Sequence, residues 1–202
     1  MKVSRTVISS LLIGSAMLSF TACSSKYDLS PKALADYADD QGADEADSAY
    51  ELYNTDYGSG DYMSYVYGDT EDFDGFVSLI GYDERADKTT HCIQQDGEVH
   101  AYIWSLSFDQ DDADDFYQEL KKYYEISYSD DNVVIVTESP NLEYILYAES
   151  ESDYIAVYHD CSTNSVMCLS FSGVDEEDVK EQVDEFCKAF GVVSPTTLFN
   201  ED

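Results

Sequence analysis

The chain is poor in positive charge, with 10 Lys and Arg against 43 Asp and Glu and a formal net charge of -33. Binding of phosphate backbones or of anionic lipid head groups requires clusters of Lys and Arg. A nucleic-acid partner and a polybasic membrane anchor are therefore excluded. With 44% hydrophobic and 14% aromatic residues, the chain is nevertheless too apolar for disorder throughout, so we expect one compact domain.

Histidine is also scarce, and the chain holds only His91, His100 and His159. Covalent catalysis needs a base beside the nucleophile, and neither a G-x-S-x-G elbow nor an H-E-x-x-H motif occurs in the sequence. His159 and Cys161 share one face of a predicted strand and could form a partial zinc site with His91. Because such scattered ligands lack paired spacing, we predict ordinary strand residues, with no catalytic, cofactor or metal site.

No hydrophobic run is long enough to span a membrane. The uncharged stretch from Val7 to Phe20 has 14 residues, whereas a spanning helix needs about 20. Lys2 and Arg5 precede this stretch, and small residues follow it. This pattern is typical of a cleaved export signal, which we assign to residues 1–22.

The end of this signal, Phe20-Thr21-Ala22-Cys23, resembles the lipobox of bacterial lipoproteins. Phe20 departs from the Leu, Val or Ile usual at that position. The chain as a whole looks like a small, uncharacterised lipoprotein of the bacterial cell envelope. The resemblance implies that Cys23 is acylated, becomes the new N-terminus, and anchors the protein on the extracytoplasmic face of the cell membrane. It implies no activity.

Removal of residues 1–22 would take away two positive charges and no acid, leaving a formal charge of about -35. Residues 23–60 are rich in Asp, Ala, Ser and Gly and are predicted to form an acidic tether. The tether has one possible short helix, with Ser30 as N-cap, Pro31 in its first turn and Gly42 at its end. Such a helix is marginal alone and must dock on the domain if it forms.

Residues 61–202 are predicted to form a single α+β domain, although the pattern of residues 61–87 fits strand and helical turn equally well. An Asp96-Gly97 turn between two extended runs predicts a β-hairpin. Helical spacing follows over 111–124, with Tyr123 among its inward residues, and again over 175–190. Between these helices we predict a meander of short strands at 126–128, 132–138, 142–148, 154–159 and 165–171.

The two strand-helix units match at an offset of 63 residues. Leu106-Ser107-Phe108 repeats as Leu169-Ser170-Phe171, and Asp112 and Asp115 repeat as Asp175 and Asp178. Duplication of a hairpin-helix unit and chance agreement of two similar patterns explain this equally well. We predict a curved antiparallel sheet with amphipathic helices packed on one face, and a shared core of Trp104, Leu106, Phe108, Phe116, Leu120, Leu169, Phe171, Val179, Val183, Phe186 and Phe190.

Two acid runs, Asp109–Asp115 and Asp175–Asp178, invite a calcium interpretation. Both lie where a helix is predicted to begin, so capping and the helix dipole account for them. Residues 70–75 partly match an EF-hand loop, but Thr70 replaces its first Asp, and Gly81 stands where the bidentate Glu is needed. We predict an acidic loop there.

The four cysteines after Cys23 are an even number in an oxidising compartment, which makes some disulfide pairing plausible. Face analysis disfavours Cys168 with Cys187 and leaves Cys92, Cys161 and Cys168 on one face. The tyrosines, 18 in all, fit half-buried strand positions better than a stacking platform for sugars or peptides. That platform would comprise Tyr57, Tyr62, Tyr65, Tyr67, Tyr102, Tyr144, Tyr147, Tyr154 and Tyr158.

These observations favour a membrane-anchored, non-enzymatic binding or interaction module whose protein or carbohydrate ligand is unknown. The alternative is an extracytoplasmic hydrolase or calcium-dependent enzyme that uses acidic residues. A deep pocket with paired carboxylates would favour the enzyme, and a flat, tyrosine-lined sheet face would favour the binding module.

Overall fold

The computed structural model describes residues 27–73, 83–127, 133–139 and 141–199. The signal peptide, Cys23 and the EF-hand-like positions from 74 to 82 lie outside them. The helices are α1 (Pro31–Asp40), α2 (Ala49–Asn54), α3 (Gln110–Ser127) and α4 (Glu176–Phe190), with 3-10 turns at Thr70–Phe73 and Pro195–Phe199. The strands are β1 (Asp44–Glu45), β2 (Tyr62–Asp69), β3 (Lys88–Asp96), β4 (Val99–Ser107), β5 (Val133–Ser139), β6 (Leu142–Ser150), β7 (Asp153–Asp160) and β8 (Ser165–Ser172).

The eight strands of the described ranges form one sheet in the order β1-β2-β3-β4-β8-β7-β6-β5. Neighbours are antiparallel except for β1 and β2, which are parallel. The predicted α+β class with a curved sheet is confirmed. The predicted hairpin forms as β3 and β4, where Gly97 has a φ of 60°, a conformation that glycine adopts without strain.

The helices cover both faces of the sheet, so the prediction that they pack on one face is wrong. Face A carries α1 and α4, which bury their apolar residues against the side chains of Ile103, Leu169 and Phe171. Face B carries α3, which packs against Trp104, Leu106 and Phe108. The short helix α2 packs there as well, against Val66 and Ile93 near the β1 edge.

The pairing of β4 with β8 explains this arrangement. Trp104 stands opposite Cys168 and Ile103 opposite Leu169, so Trp104 and Leu169 point to opposite faces. The offset of 63 residues therefore matches positions that face different ways. A two-fold rotation that exchanges the antiparallel neighbours β4 and β8 keeps each side chain on its own face of the sheet. A duplicated unit would therefore place α3 and α4 on the same face. The structure contradicts the duplication.

The segment before β2 belongs to the domain from Leu29 onwards. The prediction that residues 23–60 form a tether is therefore wrong for most of that range. The predicted helix α1 forms, with the Ser30 hydroxyl accepting from the Ala33 N–H at 3.3 Å. Leu29 and Leu34 are fully buried. Two buried hydroxyls hold the entry to α1 on face A, because Ser105 donates to the Leu29 carbonyl and Thr90 donates to the Pro31 carbonyl.

Helix α4 matches its prediction, and α3 differs at its end. Asp175 caps α4, Gly191 ends it with a φ of 70°, and its predicted inward stripe is buried. Helix α3 continues to Ser127, where a strand was predicted, because no helix-breaking residue precedes it. Tyr124 is buried in α3, whereas Tyr123 is 49% exposed rather than inward.

Candidate functional site

A mixed cluster of ionisable side chains surrounds His159 where β7 ends on face B. Helix α3 supplies Asp114 and Tyr117 from above, β6 supplies Glu143, and the turn after β7 supplies Cys161. The imidazole of His159 is 1% exposed. One donor atom from each of Asp114, His159 and Cys161 lies within 4.8 Å of the other two.

The two ring nitrogens of His159 face different groups. At Nδ1 stand the Cys161 sulfur and a Glu143 carboxylate oxygen, each at 3.7 Å. At Nε2 stands an Asp114 carboxylate oxygen, at 3.6 Å. The Tyr117 ring packs on the imidazole with a centroid separation of 5.1 Å. A thiol and a carboxylate therefore converge on one nitrogen, and a second carboxylate faces the other.

Local structure fixes the position of Cys161. The Asp160 carboxylate accepts from the N–H and hydroxyl of Ser162 and from the Thr163 hydroxyl, at 2.6 to 2.9 Å, and so closes the turn after β7. The Cys161 N–H donates to the Asn141 carbonyl at 3.0 Å, which ties this turn to the start of β6. The thiol is thus held by backbone bonds rather than by packing alone.

The environment changes the protonation of the cluster. Burial lowers the pKa of His159, and the carboxylates of Asp114 and Glu143 oppose that shift. Burial also raises the pKa of Cys161 to about 11, with a further contribution from Glu143 and then Asp114. Without a bound cation, the imidazole is therefore held in its neutral form and the sulfur as a thiol at neutral pH.

Two buried polar atoms of this cluster have no hydrogen-bond partner among the residues that the structure describes, namely Nε2 of His159 and the hydroxyl oxygen of Tyr117. Burial raises the pKa of Tyr117, and the charges of Glu143 and Cys161 raise it further. Buried polar groups are nearly always paired, and an unpaired one costs about 1 to 3 kcal/mol. Two such atoms at one place are typical of a site that takes a ligand.

His91 does not join this cluster, so the zinc grouping of His91 with His159 and Cys161 is contradicted. Its ring lies among Tyr53, Phe73 and Trp104 on face B. Strands β4 and β8 separate β3 from β7, a lateral distance of about 14 Å. Asp114 and Glu143 were not predicted as partners of His159, because no local pattern connects residues on a helix and on another strand.

The two acid runs lie at helix starts, as predicted. The Asp175 carboxylate accepts from the N–H groups of Glu177 and Asp178, at 2.9 and 3.2 Å. Asp111 and Asp112 lie in the first turn of α3. Capping and the helix dipole account for these acids, but Asp114 of the first run also faces His159.

The four described cysteines are all free. Cys92 and Cys187 belong to the face A core, whereas Cys168 belongs to the face B core. The prediction that Cys168 and Cys187 lie on opposite faces is confirmed. The prediction that Cys92 and Cys168 share a face is wrong, because the register of β3 through β4 to β8 places them on opposite faces.

Most tyrosines proposed for a stacking platform lie in the core. Buried among them are Tyr65, Tyr144, Tyr147, Tyr154 and Tyr158. A smaller aromatic patch remains near the β1 edge, where Tyr57 and Tyr62 stack with centroids 4.4 Å apart. Tyr102 is 47% exposed.

An open polar cleft lies between the end of α1 and the ends of β2 and β3. Its lining combines amide, carboxylate and tyrosine side chains: Tyr37, Gln41, Asp44, Asp61, Tyr62, Gln94, Gln95 and Asp96. Asp61 accepts from the Gly97 N–H at 2.9 Å, which fixes one wall of the cleft. No basic side chain is among its described lining residues, so the cleft can take neutral or cationic polar groups and repels anions.

Searches against protein-family models, curated proteins and solved structures find no match to this chain. Within the part of the chain that the structure describes, no helix has both the length and the apolar character needed to cross a membrane.

Proposed function

We propose that the chain is an extracytoplasmic lipoprotein, anchored to the cell membrane through Cys23, whose domain is a non-enzymatic binding module for a protein or carbohydrate ligand. The N-terminal pattern of Lys2, Arg5, the apolar stretch and the lipobox-like end carries the anchoring part of this proposal. The polar cleft supports the binding part, since amide and carboxylate groups beside a tyrosine ring suit sugar hydroxyls and peptide groups.

The packing of Leu29 adds a constraint on the anchored protein. Five residues lie between Cys23 and this fully buried leucine, and the six steps along the chain span at most about 22 Å. An acylated Cys23 therefore holds the folded domain close to the membrane surface, not at the end of a long tether. The high negative charge then keeps the rest of the domain away from anionic lipid.

Fractionation of cells tests the anchor. We expect Cys23→Ala to move the protein from the membrane fraction to the soluble fraction, because the acyl chains are lost. Cys161→Ala removes a different thiol and should stay with the membrane. Equal membrane recovery of the wild type and Cys23→Ala would refute lipidation.

Electrophoresis through gels that contain soluble polysaccharides tests the cleft. We expect a binding polysaccharide to retard the wild type, and Tyr62→Ala to weaken that retardation, because a residue that lines the cleft is truncated. Tyr50→Ala is the matched control, since Tyr50 is 69% exposed on α2 and does not line the cleft. Equal retardation of the two variants would exclude the cleft as the carbohydrate site. Binding of a protein ligand at the cleft would then be tested with the same two variants.

A further inference from the structure

We propose that His159, Cys161 and Glu143 bind a divalent transition-metal ion of the zinc type, with Asp114 orienting the imidazole from its other side. The set contains one nitrogen, one sulfur and one carboxylate oxygen, a combination that proteins use for zinc. An acidic surface alone would favour hard cations such as calcium, whereas a thiolate and an imidazole favour zinc, cobalt or a similar ion.

The geometry supports Nδ1 as the ligand nitrogen. The Cys161 sulfur and the Glu143 oxygen each lie 3.7 Å from Nδ1. Metal bonds of about 2.0 to 2.3 Å in a tetrahedral site place ligand atoms about 3.3 to 3.6 Å apart. A small rotation of the Cys161 side chain therefore brings its sulfur onto an ion at Nδ1, and rotation of the Glu143 side chain, which is 28% exposed, brings its carboxylate to the same ion.

Asp114 supplies the outer contact that metal-bound histidines usually have. When Nδ1 binds the ion, Nε2 carries the ring proton and faces the Asp114 oxygen at 3.6 Å. Such carboxylate-histidine pairs fix the tautomer and raise the basicity of the ligand. This arrangement gives a partner to Nε2, which has no hydrogen bond otherwise.

Tyr117 completes the surroundings of the ion. Its ring packs on the imidazole with centroids 5.1 Å apart, and its hydroxyl is buried with no hydrogen-bond partner among the described residues. Zinc with three protein ligands takes a water as its fourth ligand, and such a water is a candidate partner for the Tyr117 hydroxyl.

Cobalt titration of the purified full chain, after dialysis against a chelator, tests this site. We expect one Co²⁺ per chain to bind with the absorption of a thiolate-to-metal charge transfer, and Zn²⁺ to displace it. Cys161→Ala should abolish this absorption even though Cys23, Cys92, Cys168 and Cys187 remain. Absence of the band in the wild type, or its persistence in Cys161→Ala, would overturn the proposal.

A matched pair of variants on α3 separates the site from general attraction of cations by an acidic protein. Asp114→Asn should weaken Co²⁺ binding by about 10- to 100-fold, the usual effect of removing an outer-shell carboxylate. Asp115→Asn removes the same charge from an exposed neighbouring position and should leave the affinity within about 2-fold. Equal weakening by both variants would refute the site.

Folding of these variants is checked by circular dichroism. Cys161 is only half buried, in a turn that Asp160 closes, so its replacement should leave the domain folded. Glu143→Gln serves as a second ligand variant, since Glu143 is 28% exposed, and it too should weaken Co²⁺ binding. Binding of Co²⁺ to a folded Glu143→Gln protein with wild-type affinity would remove Glu143 from the ligand set and overturn the proposal as stated.

Discussion

Replacement of His91 by Asn should make the stability of the protein less sensitive to mild acid. The His91 ring is fully buried on face B, where the Tyr53 hydroxyl hydrogen-bonds to Nδ1 at 2.8 Å. Within the described part of the chain, its Nε2 has no hydrogen-bond partner. Burial lowers the pKa of His91 to about 3, against about 6.5 for histidine in an unfolded chain.

The sign and size of the effect follow from linkage. Between pH 6.5 and pH 3 the unfolded chain binds a proton at His91 that the folded chain does not, so stability falls as the pH falls. From pH 7 to pH 5 the loss from this group is about 2 kcal/mol. Asn keeps a hydrogen-bond acceptor near the position of Nδ1 but does not titrate, so His91→Asn should lack this loss.

Urea unfolding at pH 7 and at pH 5, at constant ionic strength, measures the effect. The free energy of unfolding should fall by about 2 kcal/mol more for the wild type than for His91→Asn. Carboxylates and His159 titrate in both proteins and cancel in the comparison. His100→Asn is the control: His100 is exposed on β4, so this variant should keep the wild-type dependence. An equal change for the wild type and His91→Asn would refute the reasoning.

Three further predictions concern packing and charge. Phe186→Ala should lower the free energy of unfolding by about 3 to 5 kcal/mol, because the ring is buried on face A, whereas Glu181→Ala, on the exposed side of α4, should change it little in the same urea titration. Leu29→Ala should lower the free energy of unfolding by about 2 to 5 kcal/mol, and Asp28→Ala should lower it much less. Equal small effects of the two variants would support a free tether instead of a docked segment. Calcium and simple salt should both raise the melting temperature by screening, and a rise with micromolar calcium that matched monovalent salt fails to reproduce would point to a specific calcium site.

Local patterns in the sequence were sufficient to predict most of the individual elements. The spacing of apolar residues in α4, its cap at Asp175 and its stop at Gly191 depend on neighbours within four residues, so one sequence carries all the information needed. The same holds for Ser30 and Pro31 at the start of α1 and for the turn at Gly97. Charge and composition also predict, without any structure, that nucleic acid is not a partner.

The tertiary structure alone decided how these elements meet. A helix pattern shows which of its sides is apolar, but the face of the sheet that it covers depends on strand register, and one residue of register exchanges the two faces. Because Trp104 pairs with Cys168, α3 and α4 lie on opposite faces of the sheet, whereas the repeat-like pattern had predicted them on the same face. For the same reason the sequence grouped His159 with Cys161, two residues along the chain, and wrongly with His91, while Asp114 and Glu143 reach that histidine from α3 and β6.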